Sequence, residues 1–420
     1  MDEDRKKARW RRRRIIYNND GDDVKEVKNH HEAHWQFTTR SGAELRDDVL
    51  KARTAPLVGT QVDSHWYSTC TSGLTFTHHT KLGAFYGSGI AKELVDRYGR
   101  DNLQIQTDFC HENDLESFWS MRMNDTHDAH PQGYRAEYHG LAPFKQQHPR
   151  CTMGKPEDFE KYARGPKHSW TSLDFSYPEV REHIFALIRE VCQGYDVDGV
   201  ELDFFRAPVF FPPAMEGLPV EEQHLEFMTD LVRRLRKMID EVSRLRGRPL
   251  LLAARTPFTV ADARYIGLDI EKWLAEDLID IVIAGGLPNW MMIESFREIV
   301  DLGHRYEVPV YPSIEWPSWH HWAFLDLGAA EHRTFQSWVK TLYGGHPIDL
   351  DKPCYITVWN SWPGTAAVWR GAAMNLWNAG ADGIYIFNGF HSTNTDRWRE
   401  IGDPETLAGT DMIFGVDRFA

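Results

Sequence analysis

Twice in this chain a helix ends near a glycine, an Asp-Gly pair follows, and a short apolar strand runs on to a polar group. The first copy is Gly194-Tyr-Asp-Val-Asp-Gly-Val-Glu-Leu-Asp-Phe-Phe-Arg206 and the second is Trp377-Asn-Ala-Gly-Ala-Asp-Gly-Ile-Tyr-Ile-Phe-Asn388. A helix that feeds an apolar strand, over and over, builds a parallel sheet with crossover helices. Apolar runs predict strands near 14–18, 60–66, 116–123, 198–205, 249–255, 279–284, 308–315 and 383–388. Eight such strands close an α/β (β/α)8 TIM barrel. The two copies fall on the fourth and eighth strands, as half-barrel symmetry allows, and no shorter period suggests a solenoid. Cys354–Trp359 also reads as a strand, either as an excursion in the last crossover or as a replacement for the second strand.

Two helices stand out. One runs from about 178 to 193, with Ser176 and Glu179 as a capping box, Val180, Ile184, Leu187, Ile188 and Val191 as its buried stripe, and Gly194 as its stop. The other runs from 221 to 246, with Leu225, Met228, Val232, Leu235, Ile239 and Val242 at helical spacing before Gly247. Long connections follow the third, fourth and seventh strands, at about 126–172, 206–220 and 316–366. In a barrel these lie on the face that carries active sites.

At 420 residues and 42% hydrophobic content, the chain suits one elaborated barrel at 14–400, after a charged tail at 1–13 and before an extension at 401–420. A net charge of -14 without a basic stripe argues against nucleic acid. No run of about 18 apolar residues suggests a membrane span, and Met1–Arg14 lacks the apolar stretch of a secretory signal. Five scattered cysteines without CxxC spacing fit neither a disulfide framework nor a thiolate zinc site. A cytoplasmic location is the expectation, a native leader removed from this chain being the alternative.

Side chains two apart on a strand share a face. Glu201 and Asp203 therefore point together, opposite Val200, Leu202 and Phe204, into surroundings where an ionised acid is costly unless it is used or paired. Glycosidic cleavage needs one carboxyl group to protonate the leaving oxygen and another as nucleophile or base. Asp203, nearer the strand end, is the better direct catalyst; Glu201 is its partner or an alternative acid, their proximity pushing their pKa values apart. Glu315, closing Val310-Tyr-Pro-Ser-Ile-Glu-Trp316, supplies the facing carboxylate.

Candidate substrate contacts are Asn19 and Asp20 after the first strand, His65 and Trp66 on the second, and Arg122, Asn124 and His127 after the third. Arg206, Arg255, Trp316 and Asn388 complete the set, with Arg206 and Arg255 also able to neutralise the acid pair. Eight of the chain's sixteen tryptophans lie between Trp316 and Trp377, and indole rings suit the flat apolar faces of sugars. The expected partner is an oligo- or polysaccharide. No cofactor is expected and no metal is assigned, since HExxH, a phosphate loop and GxSxG are all missing. Two other functions remain in view: a carbohydrate-binding barrel without catalysis, and a metal-dependent hydrolase using Asp20, Asp63, His65 and Glu201.

At its third, fourth, seventh and eighth strands the chain resembles the glycosyl-hydrolase-like TIM barrels, an uncharacterised bacterial group distantly similar to clan A glycosidases. Asp198-Gly-Val-Glu-Leu-Asp203 looks like their fourth-strand motif. It departs from the family-eighteen chitinase pattern in having Phe205 where the acid belongs. Compared with α-amylases, Asp203 matches the nucleophile position while Glu201 replaces an arginine. The resemblance implies a glycosidase-like barrel without an assigned substrate.

Overall fold

The computed structural model describes residues 2–24, 41–86, 89–129, 141–155, 157, 169–215, 218–285, 293–315, 366–387, 389 and 395–414. Eight parallel strands form a closed barrel: β1 (Ile15–Asn19), β2 (Val62–Ser68), β3 (Glu116–Arg122), β4 (Gly199–Asp203), β5 (Leu251–Pro257), β6 (Ile281–Gly285), β7 (Val310–Glu315) and β8 (Ile384–Phe387). Each pairs with its neighbour in sequence, and β8 returns to β1. This is the (β/α)8 TIM barrel that the apolar runs predict. The expected second strand belongs to it, whereas Cys354–Trp359 lies outside the described residues.

The two-residue period of each strand divides the core. Ile16, Trp66, Phe118, Leu251, Ala253, Ile281, Ile283, Tyr311, Tyr385 and Phe387 fill the barrel interior. Val200, Leu202 and Phe204 join the larger outer layer with the helices.

Helix α1 (Asp2–Arg9) precedes the barrel, and the outer layer includes α2 (Gly42–Arg53), α3 (Asn102–Glu112), α4 (Pro178–Gly194), α5 (Glu222–Arg246), α6 (Val260–Tyr265), α7 (Ile270–Ala275), α8 (Ile293–Arg305) and α9 (Ala366–Asn378). The stripe of α4 is buried as expected, but its ends differ. Pro178 occupies the first turn, where a missing N–H costs nothing. Tyr177 takes the cap position without a side-chain bond, and Ser176 instead donates its amide to Asp174 at 2.8 Å. Gly194 is still helical. By contrast, Gly247 ends α5 in the left-handed region at φ 70°, the conformation glycine adopts most easily.

The recurrent Asp-Gly pair has a structural cause. Asp198 accepts from the Ser117 amide at 2.9 Å and meets His111 Nε2 at 3.0 Å. Asp382 does the same with the Val310 amide at 2.8 Å and His304 Nε2 at 2.9 Å. Each Asp thus ties the start of a neighbouring strand to the end of a helix. A Cβ on Gly199 would lie 2.2 Å from the Phe118 ring, and one on Gly383 would lie 2.1 Å from the Arg13 carbonyl, so only glycine fits beside the Asp.

The charged segment at the start of the chain closes the N-terminal end of the barrel. Most of it is helix α1, whose Arg5 and Arg9 bond Asp280 at 2.7 and 3.0 Å; Arg236 adds a third guanidinium at 2.8 Å. Arg13 grips Glu116 through two bonds of 2.7 and 2.6 Å. Cys70, Cys110, Cys151 and Cys192 are buried free thiols. Among the described residues no helix is long and apolar enough to cross a membrane.

A candidate active site at the barrel mouth

Strand register brings three charged groups to one level of the barrel. Asp203 on β4 lies opposite Arg122 on β3 and Arg255 on β5, and Glu201, one layer below, lies opposite Ser120. All five residues are buried. Glu201 and Asp203 therefore face the interior together, as the two-residue period requires.

Their surroundings differ. Glu201 accepts from Tyr385 Oη at 2.9 and 3.2 Å and from Asn18 Nδ2 at 3.1 Å. Burial, then the charge of Asp203, push its carboxyl up to about 8, against the opposing pull of Arg255, Ser120 and Tyr385. Glu201 is thus held protonated at neutral pH. Asp203 accepts both from Arg255, at 3.2 Å to each oxygen, and from the amides of Phe205 and Arg206 at 2.9 and 3.1 Å. Those amides belong to the turn that leaves β4, so the chain folds back over the carboxylate it presents.

Beside this pair runs a second chain of polar contacts. Arg122 Nη1 donates to Asp125 Oδ2 at 2.9 Å, and the same oxygen meets His127 Nδ1 at 2.9 Å. On the far side of the ring, His127 Nε2 lies 3.2 Å from Arg206 Nη2. A guanidinium only donates, so Nε2 is the acceptor and the imidazole proton sits on Nδ1, facing Asp125. Burial opposes the ionised Asp125, yet His127, Arg122 and the Gly73 amide hold it well below the usual carboxylate range. In His127 the charge of Asp125 favours the protonated ring, but burial with Arg206 and Arg122 outweighs it and the pKa is lowered.

Several expected contacts lie elsewhere. His65 sits at the opposite parity to Trp66 and faces α3, where Cys110 Sγ is 3.6 Å from its Nδ1; burial there lowers its pKa to about 3. It is a neutral packing residue. Trp66 points inward but is fully buried, stacked on Phe118 at 4.5 Å and edge-on to Tyr385, so it fills the barrel beneath the site. Asn19 turns away from the interior and bonds Asp23 at 2.9 Å. Asn18, its neighbour, is the residue that reaches Glu201.

Asn124 is a clamp, donating to the Leu173 and Val209 carbonyls at 3.0 and 2.7 Å and accepting from the Leu173 amide at 2.9 Å. Asp20 stays near the mouth, 3.2 Å from Arg53 and 4.0 Å from Arg122. The four residues considered as metal ligands do not assemble: Asp63 pairs with Arg14 at 2.6 Å at the start of β2, and His65 faces the helix layer.

Glu315 ends β7 in register with Phe387; its side chain, Trp316 and Asn388 lie outside the described residues. Sequence reasoning missed Asn18, Ser120, Asp125, Tyr385 and Phe387. Counting two residues back from the ends of β3 and β8 would have found Ser120 and Tyr385.

No family model and no curated protein matches this sequence. Among solved structures the chain is similar to alpha-L-fucosidase isoenzyme 2 from Paenibacillus thiaminolyticus, with 13% identity over 94% of this chain and 49% of that one and a TM-score of 0.49. It is also similar to an Anoxybacillus alpha-amylase, at 13% identity over 97% of this chain and 76% of that one, TM-score 0.45. A third is a GH36 alpha-galactosidase from Geobacillus stearothermophilus, at 12% identity over 95% and 42%, TM-score 0.39. This chain therefore spans less than half the length of the fucosidase and the galactosidase.

Proposed function

We propose that the protein is a glycoside hydrolase that cleaves a glycosidic bond with two carboxylates, Asp203 at the end of β4 and Glu315 at the end of β7. One observation carries the reading: Asp203 sits at the C-terminal end of a barrel strand, its orientation fixed by Arg255 and by two backbone amides. Barrel enzymes place their reacting groups at that end, and a carboxylate held in one geometry loses no time to reorientation. Glu201 is its tuner: protonated at neutral pH, it spares Asp203 a second negative charge one layer below. Arg122, His127, Arg206 and Arg255 shape the sugar subsite, joined by Asp20, Trp316 and Asn388.

The test is a glycan-library screen with product analysis, followed by Asp203→Asn and Glu315→Gln. Each substitution is expected to lower turnover by roughly 10³-fold, the scale of losing a catalytic carboxyl, while melting behaviour is retained. Full turnover in either variant removes that residue from the assignment.

A second reading rests on the same carboxylate. Asp203 already accepts four hydrogen bonds, so it also suits a pillar in a carbohydrate-binding barrel without catalysis. Glycan binding with no released product after long incubation selects that reading.

A further inference from the structure

Among the described charges at the mouth, one cation has no carboxylate within ion-pair distance. Asp20 lies with Arg53, Asp125 with Arg122, and Asp203 with Arg255. Glu201 is bonded by the neutral groups of Asn18 and Tyr385. Arg206 makes no ion pair among the described residues. Its Nη2 donates to a neutral histidine, its Nε is buried without a hydrogen-bond partner, and its guanidinium lies 5.5 Å from the centroid of the Phe387 ring.

Arg206 is half-buried, and burial with the neighbouring Arg122 lowers its pKa against the opposing pull of Asp20, Asp125 and Asp203, none of which forms an ion pair with it. Arg13, by contrast, has Glu116 on two of its nitrogens. The position is equally specific, because the amide of Arg206 itself holds Asp203 at 3.1 Å. A group bound by its guanidinium therefore lies next to the proposed reaction centre. The chain Asp125–His127–Arg206 fixes the side chain from behind, the imidazole accepting on one edge and donating on the other.

We propose that Arg206 is the anchor for an anionic substituent on the sugar, a carboxylate or a sulfate, so that the substrate class is an acidic rather than a neutral saccharide. The proposal rests on the glycoside hydrolase reading of the same mouth. Guanidinium matches both oxyanions through paired N–H donors, and the free Nε beside the occupied Nη2 is the donor left for that use. His127 is a positioning residue in this scheme.

Equilibrium binding tests it without needing turnover. Glucuronate and galacturonate, their neutral counterparts glucose and galactose, and glucose 6-sulfate are titrated calorimetrically into the full chain and into Arg206→Met and Arg206→Lys. The wild type is expected to bind an acidic sugar at least tenfold more tightly than its neutral counterpart, with added salt narrowing the gap. Arg206→Met abolishes the difference and Arg206→Lys restores part of it, while the melting temperature of Arg206→Met is little changed because no ion pair is lost. Whether uronate or sulfate shows the preference identifies the substituent. Equal binding of acidic and neutral sugars by the wild type, no acidic-sugar binding at tens of millimolar, or preference retained in Arg206→Met each overturns it. Acid preference without any hydrolysis would sink the hydrolase reading and leave this one standing; hydrolysis of neutral glycosides without acid preference would do the reverse.

Discussion

The two ends of the barrel treat buried charge in opposite ways. At the N-terminal end Asp280 receives Arg5, Arg9 and Arg236, and Glu116 receives Arg13 on both oxygens. Burial opposes the ionised Asp280, yet the three guanidiniums hold its carboxyl below the ordinary range. At the C-terminal end Glu201 is bonded by neutral donors and pushed up to about 8, while Arg206 makes no ion pair among the described residues. Folding gives each of these buried carboxylates at the N-terminal end a cation. At the other it leaves an acid and a cation poised, and such an imbalance is what a ligand or a reaction can use.

The contrast can be broken hardest from the closed end. Asp280→Ala leaves three guanidiniums with only the more exposed Asp277 and Asp240, and it is expected to cost about 3–5 kcal/mol in a urea titration, with turnover per folded molecule unchanged below the transition. A loss under about 1 kcal/mol would mean the arginines find water, and the ends are not so different. At the open end, Asn124→Ala removes the clamp on the Leu173 and Val209 backbone groups. Its expected cost is about 1–3 kcal/mol, with faster amide exchange confined to the loops after β3 and β4. Unaltered exchange at Leu173 would remove Asn124 from that role.

The most graded effect belongs to Glu201. Its folded value of about 8 lies above the ordinary 4.5, so between those limits the folded protein holds a proton that the unfolded chain has released. Stability therefore falls as pH rises from about 5 towards 8, by at most about 1.4 kcal/mol per pH unit. Glu201→Gln, neutral at every pH, is expected to flatten that slope in melting curves taken against pH. A parallel slope in the variant would show that other groups cause it.

The architecture was legible because its cause is local. Eight apolar runs of strand length, separated by helical stripes, leave few topologies other than a closed parallel barrel, and all eight runs became its strands. The site was legible only where parity alone decides. Glu201, Asp203, Arg122 and Arg255 share the inner face because they sit an even number of residues apart along strands in fixed register. His65 and Trp66 are adjacent, so they face opposite layers, and only their chemical character had suggested a shared role. Asn18 was passed over for Asn19 on the same strand for the same reason. Tyr385 was hidden by composition: within Ile-Tyr-Ile-Phe it reads as a core aromatic, and its hydroxyl finds Glu201, 184 positions earlier, only once the chain between them is folded into a ring. The Ser176 capping box failed because Pro178 supplies the first turn of α4 and Asp174 takes the serine amide.

The seam between β1 and β8, where Ile15 lies against Ile384 and Asn18 against Phe387, has a consequence for how the chain is made on the ribosome. Until residues 384–387 emerge, β1 and β7 are both open edges, and Glu201 lacks the Tyr385 hydroxyl that solvates it. Early segments can collapse against their helices, yet the ring and its buried acid Glu201 must wait until β8 has been made. A nascent chain stalled before Ile384 is therefore the species most in need of a chaperone.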